Sequence, residues 1–281
     1  MANTLGDGSP GPDGGPVPLH SSLDTGRPRV ARIYNCLLGD ERDSFASERE
    51  AAAKIMAVNP GVQEMVRANR RFLGRAVQYA VADAGIRQIL DIGSGYPTQL
   101  NVHQVAQSCA PSVRTVYVDN DDIVANHGRA LLANNENTFF IEADLRTPGA
   151  ILGACESLLD LAEPVALFLL AILHFIPPEE DPYRIVKDLV GELAPGSLLV
   201  VSHVLDVPNM RASARVYKTA NAPGVVRTEE EILGFFDGLE MVEPGLVRLP
   251  EWRPDETNVD DILDAQAERM PVAGGMGRKT H

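Results

Sequence analysis

Cysteines, long apolar runs and positive charge are scarce in this chain of 281 residues. The three cysteines, Cys36, Cys109 and Cys155, lack CxxC or Cys/His spacing, which argues against a disulfide framework and a zinc site, so we expect no bound metal. The longest apolar run, Val165 to Ile176, is too short to cross a bilayer. The opening MANTLGDGSPGPDGGPVPLH has no basic or apolar signal region. We therefore expect a cytoplasmic protein without a membrane partner.

The formal net charge of −14 is unevenly distributed along the chain. Residues 27–90 carry +4, whereas residues 91–281 carry −15. Because affinity for nucleic acid depends on neutralising phosphates, this balance argues against a nucleic-acid partner and favours a small neutral or cationic one. A local basic cluster could still receive one anionic group or form a solvated helix face; it consists of Arg67, Arg70, Arg71 and Arg75.

The chain divides into three predicted parts. Residues 1–25 are rich in Gly, Pro, Ser and Asp, which predicts a disordered tail. Residues 26–85 show apolar residues at spacings of three and four, which predicts a helical segment divided by Pro60-Gly61 and ended by Gly85. Residues 86–281 are expected to form a single α/β domain, and no internal repeat is found in them.

Short apolar runs alternate with helical stretches after Gly85. Strands are predicted at Gln88–Ile92, Thr115–Val118, Phe139–Ile141, Val165–Ala171 and Ser197–Ser202. Helices are predicted at Asn101–Ser108, Ile123–Leu132, Pro148–Leu161 and Pro182–Leu193. Strands separated by helix-length connections indicate right-handed crossovers and a doubly wound parallel sheet. Further helices at Met210–Ala220 and Thr228–Asp237, and weaker strands at Glu240–Leu249 and Pro271–Arg278, complete the prediction.

The clearest motif is Ile89-Leu90-Asp91-Ile92-Gly93-Ser94-Gly95, an apolar strand that ends in an acid and a GxG turn. Glycines allow a tight turn and a close approach of a ligand to the backbone, which is typical of nucleotide-binding loops. The third glycine of the dinucleotide fingerprint is missing, because Thr98 and Gln99 stand in its place. Asp91 is expected to organise this loop.

Two further acids follow predicted strands. Asp119 ends the run TVYV, and Asp144 follows FFIEA. Ligands of doubly wound sheets bind at the carboxyl ends of the strands, so Asp91, Asp119 and Asp144 should line one crevice. Asp119 could accept hydrogen bonds from ribose hydroxyls and Asp144 from an adenine amine, with Leu145 packed on the base. Alternatively, these acids cap the following helices.

This arrangement resembles the class I S-adenosylmethionine-dependent methyltransferases. A closer resemblance, to a bacterial S-adenosyl methyltransferase family formerly carried as a domain of unknown function, spans nearly everything after the tail. It depends on ARIYNCLLGD (31–40), ANRRFL (68–73), Pro97-Thr98, NVH (101–103), VDND (118–121), LHFI (173–176) and GRK (277–279). Asn35-Cys36 and Gly39-Asp40 depart from the usual pattern of that family.

The resemblance implies a Rossmann-like, seven-stranded, mostly parallel sheet whose last strand, Pro271–Arg278, is reversed. It also implies S-adenosylmethionine as the cofactor. Gly93, Ser94 and Gly95 would lie near its methionine part and Asp119 near its ribose, while Asn120 and Leu145 would flank the adenine. The N-terminal segment would cover the pocket and bring Tyr34, Asn69 and Arg70 to the methionine end or the acceptor.

Methyl transfer from a sulfonium needs few catalytic groups, because the cofactor already carries the activation. A base helps where the acceptor must lose a proton, and histidine suits that role near neutral pH. His174 and His203 follow the fourth and fifth predicted strands, so both are candidates, with His174 the first choice. Each could instead be a structural histidine, and Tyr34 could be either a site residue or a packed aromatic.

We therefore expect an enzyme that methylates O or N of a small molecule. The alternative is a module that binds S-adenosylmethionine or S-adenosylhomocysteine without catalysis, and an NAD(P)-dependent oxidoreductase is a third interpretation. The region Met210–Val226, with Arg211 and Tyr217, separates the first two, since a helix there could close over an acceptor. No cysteine has the context of a nucleophile for carbon methylation.

Overall fold

The computed structural model describes residues 27–42, 44–96, 101–132, 135–255 and 270–281. The predicted tail, residues 1–25, and the Pro97-Thr98 motif lie outside the described residues.

Three helices precede the sheet: α1 (Val30–Leu38), α2 (Ala46–Val58) and α3 (Val62–Gln78). Pro60 and Gly61 separate α2 from α3, as their sequence predicts. α3 continues into a wider π-type turn over Tyr79–Asp83, and Gly85 follows with a left-handed φ of 74°. An apolar cluster of Ile33, Leu37, Ile55, Val62 and their neighbours packs the three helices together.

The strands of the sheet are β1 (Gln88–Ile92), β2 (Arg114–Asp119), β3 (Thr138–Glu142), β4 (Val165–Leu170), β5 (Leu198–Val204), β6 (Glu240–Met241), β7 (Val247–Arg248) and β8 (Val272–Arg278). β1 has the predicted bounds, and β2 to β5 differ from theirs by at most two residues at either end. The single weak strand predicted at Glu240–Leu249 is instead two strands of two residues, because a turn containing Pro244 and Gly245 interrupts it.

The sheet order is β3-β2-β1-β4-β5-β8-β6, and β7 also pairs with β8. β1 to β5 are parallel, whereas β8 runs antiparallel to β5. This confirms the expected doubly wound, mostly parallel sheet and its reversed last strand. In the described part of the chain β6 and β7 follow one another along the free side of β8, so the sheet has eight strands in seven positions.

Helices cover both faces of this sheet. They are α4 (Val102–Cys109), α5 (Asp122–Leu132), α6 (Pro148–Cys155), α7 (Pro182–Gly191), α8 (Pro208–Val216) and α9 (Glu229–Leu233). The helix predicted at Pro148–Leu161 is too long, since regular helix ends at Cys155. The predictions for α8 and α9 also ran too far, because short 3₁₀ turns follow both helices, at Tyr217–Thr219 and Gly234–Phe236.

Alternate residues of the buried strands face two apolar layers. Ile89 and Phe168 pack with Phe72 of α3 on one face, whereas Leu90 and Leu167 face α6 and α7 on the other. Burial on both faces explains why β4 is apolar throughout. Lys279, just after β8, donates from Nζ to the carbonyls of Val190, Gly191 and Leu193 at the end of α7 (3.0, 2.8 and 2.6 Å).

Candidate functional site

The glycine loop after β1 is held against the end of β2. The amides of Gly93 and Ser94 donate to the carbonyl of Val118 (2.8 and 3.2 Å), and the amide of Gly95 donates to Oδ2 of Asp119 (2.8 Å). Gly93 and Gly95 have φ values of 74° and 65°, which glycine adopts without strain. The carboxylate of Asp119 therefore holds the glycine loop in place, and it lies at the end of β2, where the loop also lies.

Asp119 and Asp144 organise the segments that follow β2 and β3. Oδ1 of Asp119 accepts from the amide of Asp121 (3.0 Å). Asp144 accepts from Nδ2 of Asn120 through Oδ2 (2.8 Å) and from the amide of Arg146 through Oδ1 (2.9 Å). Asp144 thus orients Asn120 at the neighbouring strand end, a contact that its sequence position alone does not show.

Burial sets the protonation of the acids at this edge. It raises the pKa of Asp91 to about 7, against the opposing positive charge of Arg70. It also raises the pKa of Asp119 to about 6, although amide hydrogen bonds oppose the shift. Partial burial would raise the pKa of Asp144 too, but hydrogen bonds from Arg146 and Asn120 and the Arg146 charge lower it overall.

One cavity of about 570 Å³ opens at the carboxyl ends of the parallel strands. It brings together the residues predicted to bind the cofactor: Asn69, Arg70, Asp91, Gly93, Ser94, Gly95, Asp119, Asn120, Asp144 and Leu145. Tyr34 lies in its wall, whereas His174 and His203 do not. The sequence reasoning missed Arg29, Arg146 and Asn221, which also line it; Arg146 could have been suspected from its place beside Asp144-Leu145.

The basic cluster of α3 does not act as one anion site. Arg70 lines the cavity, but Arg67 pairs with Glu64 at the surface (2.5 Å), and Arg75 donates to the carbonyls of Trp252 and Leu249 (2.9 and 2.6 Å). Of these arginines, Arg70 is therefore the one that the geometry places beside a ligand.

A chain of hydrogen bonds connects α1, α3 and β5 at the cavity wall. The Tyr34 hydroxyl donates to the carbonyl of Val66 (3.3 Å) and accepts from Nδ2 of Asn69 (3.1 Å). Oδ1 of Asn69 accepts from the Ser202 hydroxyl (2.6 Å), whose oxygen accepts from the amide of Ala171 (2.9 Å). Burial raises the pKa of Tyr34, so its phenol stays neutral. Ser202 gave no signal in the sequence.

Both ring nitrogens of His203 are engaged. Nη1 of Arg227 lies 2.7 Å from Nε2, and Nδ1 lies 2.7 Å from the carbonyl of Val204. A guanidinium can only donate, so Nε2 accepts and Nδ1 carries the proton in a neutral ring. Burial, with the nearby His174 and Arg227, lowers the pKa of His203 far below its usual value. Arg227 itself is anchored on the carbonyls of Leu173 and Ile176 (2.9 and 2.8 Å).

The ring of His174 packs between Phe175 and His203, with ring centroids 4.4 and 5.5 Å away. Its Nδ1 is enclosed and has no hydrogen-bond partner among the described residues. Burial, assisted by the charge of Arg227, lowers the pKa of His174 to about 3. The imidazole is therefore neutral at physiological pH.

His174 and His203 line a second, smaller pocket of about 80 Å³, called here the side pocket. Tyr34, Asn69, Ala171 and Phe175 line both it and the large cavity, so the two spaces adjoin. Residues of α8 and the following turn complete its wall: Met210, Ser213, Ala214 and Tyr217. The two candidate histidines thus lie beside the large cavity and not within it.

The described residues contain no group of three or more His, Cys, Asp or Glu side chains that could hold a metal ion. Within the same residues, no helix is long and apolar enough to span a membrane.

The large cavity suits an adenosyl cofactor with an amino-acid end. Its volume is within the usual range for ligand sites. It offers a carboxylate at the end of β2, an apolar contact from the buried Leu145 and the backbone of a glycine loop. Acidic, apolar and backbone groups of this kind match ribose hydroxyls, a purine ring and a polar amino-acid tail respectively.

The model of the S-adenosyl methyltransferase family matches residues 17–280. A solved DUF574 family protein from Streptomyces avermitilis is 39% identical over 91% of this chain and 99% of its own, with a TM-score of 0.86. A Thermobifida fusca protein, crystallised as a methyltransferase candidate, is 40% identical over 92% and 97% of the two chains, with a TM-score of 0.85.

The mitomycin 7-O-methyltransferase MmcR shares the fold alone, at 16% identity and a TM-score of 0.50 over 89% of this chain and 68% of its own. A search of curated proteins finds no significant match. The family match over nearly the whole described chain, together with a cavity that suits the cofactor, shows that this chain belongs to the S-adenosyl methyltransferase family and is an S-adenosylmethionine-dependent methyltransferase.

Proposed function

We propose that this methyltransferase acts on an oxygen or nitrogen atom of a small-molecule acceptor that enters the side pocket. The observation that carries the proposal is the junction of the two spaces. The cavity with the glycine loop and Asp119 adjoins the side pocket through Tyr34, Asn69 and Phe175. An acceptor held there would lie next to the cofactor, as an in-line displacement requires.

S-adenosylmethionine supplies an electrophilic methyl group on a sulfonium when it is bound. The backbone of Gly93, Ser94 and Gly95 would hold its methionine part, with Asp91 supporting the loop. Asp119 would accept from the ribose hydroxyls, as its position at the end of β2 allows. Leu145 and Asn120 would flank the adenine, and the hydrogen bond from Asn120 to Asp144 supports this placement.

The N-terminal helical segment, residues 26–85, would cover the site and exclude water. Arg29 and Tyr34 line the large cavity from this segment, as do Asn69 and Arg70 of α3. A buried ion pair supports a fixed position for the cover: Nη2 of Arg32 lies 3.5 Å from Oδ2 of Asp121, just after the ribose-binding position. Exclusion of water favours methyl transfer to the acceptor over hydrolysis.

The two histidines take different roles in this proposal. His174 would accept a hydrogen bond from the acceptor through Nε2, because its Nδ1 is enclosed. A pKa of about 3 makes it a weak base, so the proton would move only as methylation makes the acceptor atom strongly acidic. His203 has no free nitrogen and would act as a positioning residue that Arg227 holds beneath His174. Tyr34 would help to orient the acceptor.

Calorimetric titration tests the cofactor half of the proposal. S-adenosylmethionine and S-adenosylhomocysteine should bind and NAD should not. Asp119→Asn should weaken both sulfur ligands about 10- to 100-fold, the loss expected for charge-assisted hydrogen bonds. Asp237→Asn, an exposed substitution outside both pockets, serves as the control and should bind normally. Unchanged affinity in Asp119→Asn would refute the assignment of the ribose site.

Acceptor screening with a labelled methyl group tests the other half. His174→Leu should lower turnover of any acceptor found while leaving S-adenosylmethionine affinity within about twofold, since His174 does not line the cofactor cavity. The binding-module alternative has no observation in its favour, because α8 closes a pocket suited to an acceptor. A cytoplasmic location and the absence of nucleic-acid and membrane partners stay predictions.

A further inference from the structure

The side pocket is lined by aliphatic side chains and by a group of aromatic rings. The rings of Phe175 and Tyr217 lie 5.1 Å apart at 60°, and the ring of His174 packs against Phe175 at 61°. Met65 and Met210 also line the pocket, and the sulfur atoms of both accept from Nδ2 of Asn59 (3.4 and 3.3 Å). The edges of aromatic rings make favourable contacts with a flat ring, so this part of the wall accepts an aromatic ligand.

The same pocket offers no charge to a ligand. In the part of the chain that the structure describes, no Asp, Glu, Lys or Arg lines it. The phenols of Tyr34 and Tyr217 have pKa values raised by burial, and His174 has a lowered one, so all three side chains are neutral. The nearest cation that acts on His174 is Arg227, whose positive charge opposes a second cation. An ammonium group would thus be desolvated without a counter-charge, which is costly.

Most polar groups of the wall already have partners within the protein. Tyr34, Asn69 and Ser202 form one hydrogen-bonded chain, and His203 uses both nitrogens. His174 has no such partner among the described residues. A ligand that carries one hydroxyl on an apolar ring would give Nε2 of this imidazole a hydrogen-bond partner, while Nδ1 stays enclosed without one.

We propose that the side pocket binds a neutral phenol-type acceptor, with its single ring in contact with the paired rings of Phe175 and Tyr217 and its hydroxyl directed at Nε2 of His174. This inference rests on the proposed methyl transfer and names the acceptor class. In the reaction an oxygen–methyl bond replaces the sulfur–methyl bond as the oxygen–hydrogen bond breaks, and the proton that carries the positive charge passes through Nε2 of His174 to water, so that no lasting cation stays in the pocket. The acceptor is released as a methyl ether.

The volume of the side pocket limits the size of the ring. Cavities of about 150 Å³ hold benzene, and the side pocket measures about 80 Å³. One ring therefore fits only with part of it at the junction with the large cavity, and fused ring systems do not fit. Any substituent of the acceptor would extend from the ring into the large cavity.

Fluorine NMR of small probes tests this inference on the full chain saturated with S-adenosylhomocysteine. The probes are 4-fluorophenol, fluorobenzene and 4-fluorobenzylamine, which is a cation at neutral pH. We expect 4-fluorophenol to bind roughly 3- to 10-fold more tightly than fluorobenzene, the gain typical of one neutral hydrogen bond. The cation should bind at least about tenfold more weakly than 4-fluorophenol.

Three variants locate the binding. Val225→Phe, which fills the side pocket from a loop, should weaken both neutral probes at least about tenfold through steric overlap. Val58→Phe is the matched control, because Val58 is 43% exposed and lines neither pocket, and should leave binding unchanged. His174→Leu should keep fluorobenzene binding and abolish the advantage of the hydroxyl.

The outcomes separate this inference from the function on which it rests. Failure to bind S-adenosylhomocysteine would overturn both. Normal S-adenosylhomocysteine binding with no binding of the ring probes, or with binding unaffected by Val225→Phe, would overturn the phenol site alone. Tighter binding of 4-fluorobenzylamine than of 4-fluorophenol would replace the neutral acceptor with an amine.

Discussion

Replacing Gly93 with alanine should destabilise the enzyme more than replacing Gly95, although both residues occupy the same loop and both have positive φ. A Cβ atom on Gly93 would lie 2.7 Å from Cγ1 and 2.8 Å from Cδ1 of Ile172, whereas a Cβ atom on Gly95 would meet nothing within 4 Å. The pair therefore separates the cost of the backbone conformation from the cost of a steric overlap.

The expected magnitudes follow from these two terms. A left-handed conformation costs a residue with a side chain about 1–2 kcal/mol, and this applies to both alanines. Overlap with a packed side chain costs a further ~1–3 kcal/mol, and this applies to Gly93 alone. Gly95→Ala should thus lower the free energy of unfolding by about 1–2 kcal/mol and Gly93→Ala by about 2–5 kcal/mol.

Urea denaturation of the cofactor-free enzyme, followed by circular dichroism, measures both values. A third variant, Ile172→Gly, removes all three Ile172 atoms that the added methyl would meet (2.7, 2.8 and 2.9 Å), so the double variant Gly93→Ala/Ile172→Gly should be more stable than the sum of the single effects predicts. The coupling should be about 1–3 kcal/mol. Gly95→Ala, whose added methyl has free space and whose residue lines the cavity, should mainly weaken S-adenosylhomocysteine binding.

Two results would refute the reasoning. One is equal destabilisation by Gly93→Ala and Gly95→Ala, which would mean that overlap with Ile172 adds nothing to the free-energy cost of a side chain at position 93. The other is strict additivity in the double variant, which would mean that the loss at Gly93 arises elsewhere.

Three further predictions concern buried charges and a helix end. Arg32→Met should cost about 3–5 kcal/mol in urea unfolding by leaving buried Glu48 and Asp121 without their cation, and an effect under about 1 kcal/mol would contradict this. Burial raises the pKa of Asp91 to about 7 from about 4 in the unfolded chain, so the folded state alone keeps the proton between these values and the stability of the cofactor-free enzyme should fall as pH rises from 4 to 7. Asp119, with a pKa of about 6, contributes to the same fall, so Asp91→Asn should reduce the slope without removing it, and an unchanged slope would contradict the assignment. Lys279→Met should lower the melting temperature by roughly 2–8 °C through loss of its contacts at the end of α7, with an unchanged melting curve as the contrary result.

The sheet and the cofactor edge could be predicted because their signals are local. Each strand of the parallel sheet is a short apolar run, and each run ends at the same edge, so Asp91, Asp119 and Asp144 had to come together once the strands were parallel. The Gly93–Gly95 turn was visible for the same reason, since a glycine pair after an apolar strand needs only its neighbours to be recognised.

Helix ends and short strands were predicted less well. Regular helix in α6 stops at Cys155, although Leu158, Leu159 and Leu161 continue an apolar pattern, because these leucines pack in the loop that returns to β4. β6 and β7 are defined by pairing with β8, which lies far along the chain. Periodicity within a segment cannot show such pairing.

The acceptor side of the site depends on contacts between residues distant in the chain. Asn69 meets Ser202 across 133 positions, and His203 is fixed by Arg227, whose sequence context carries no motif. Local patterning was enough to predict a doubly wound α/β sheet with Asp91, Asp119 and Asp144 at one edge, and the family resemblance added the methyltransferase activity and its cofactor. Tertiary packing alone decided that His203 has no free nitrogen, that His174 has no partner among the described residues, and that α8 closes an uncharged pocket beside them. The physical reason is that hydrogen-bond partners and cavity walls come from residues that are distant in the chain, and the sequence of a single segment does not show where those residues will lie.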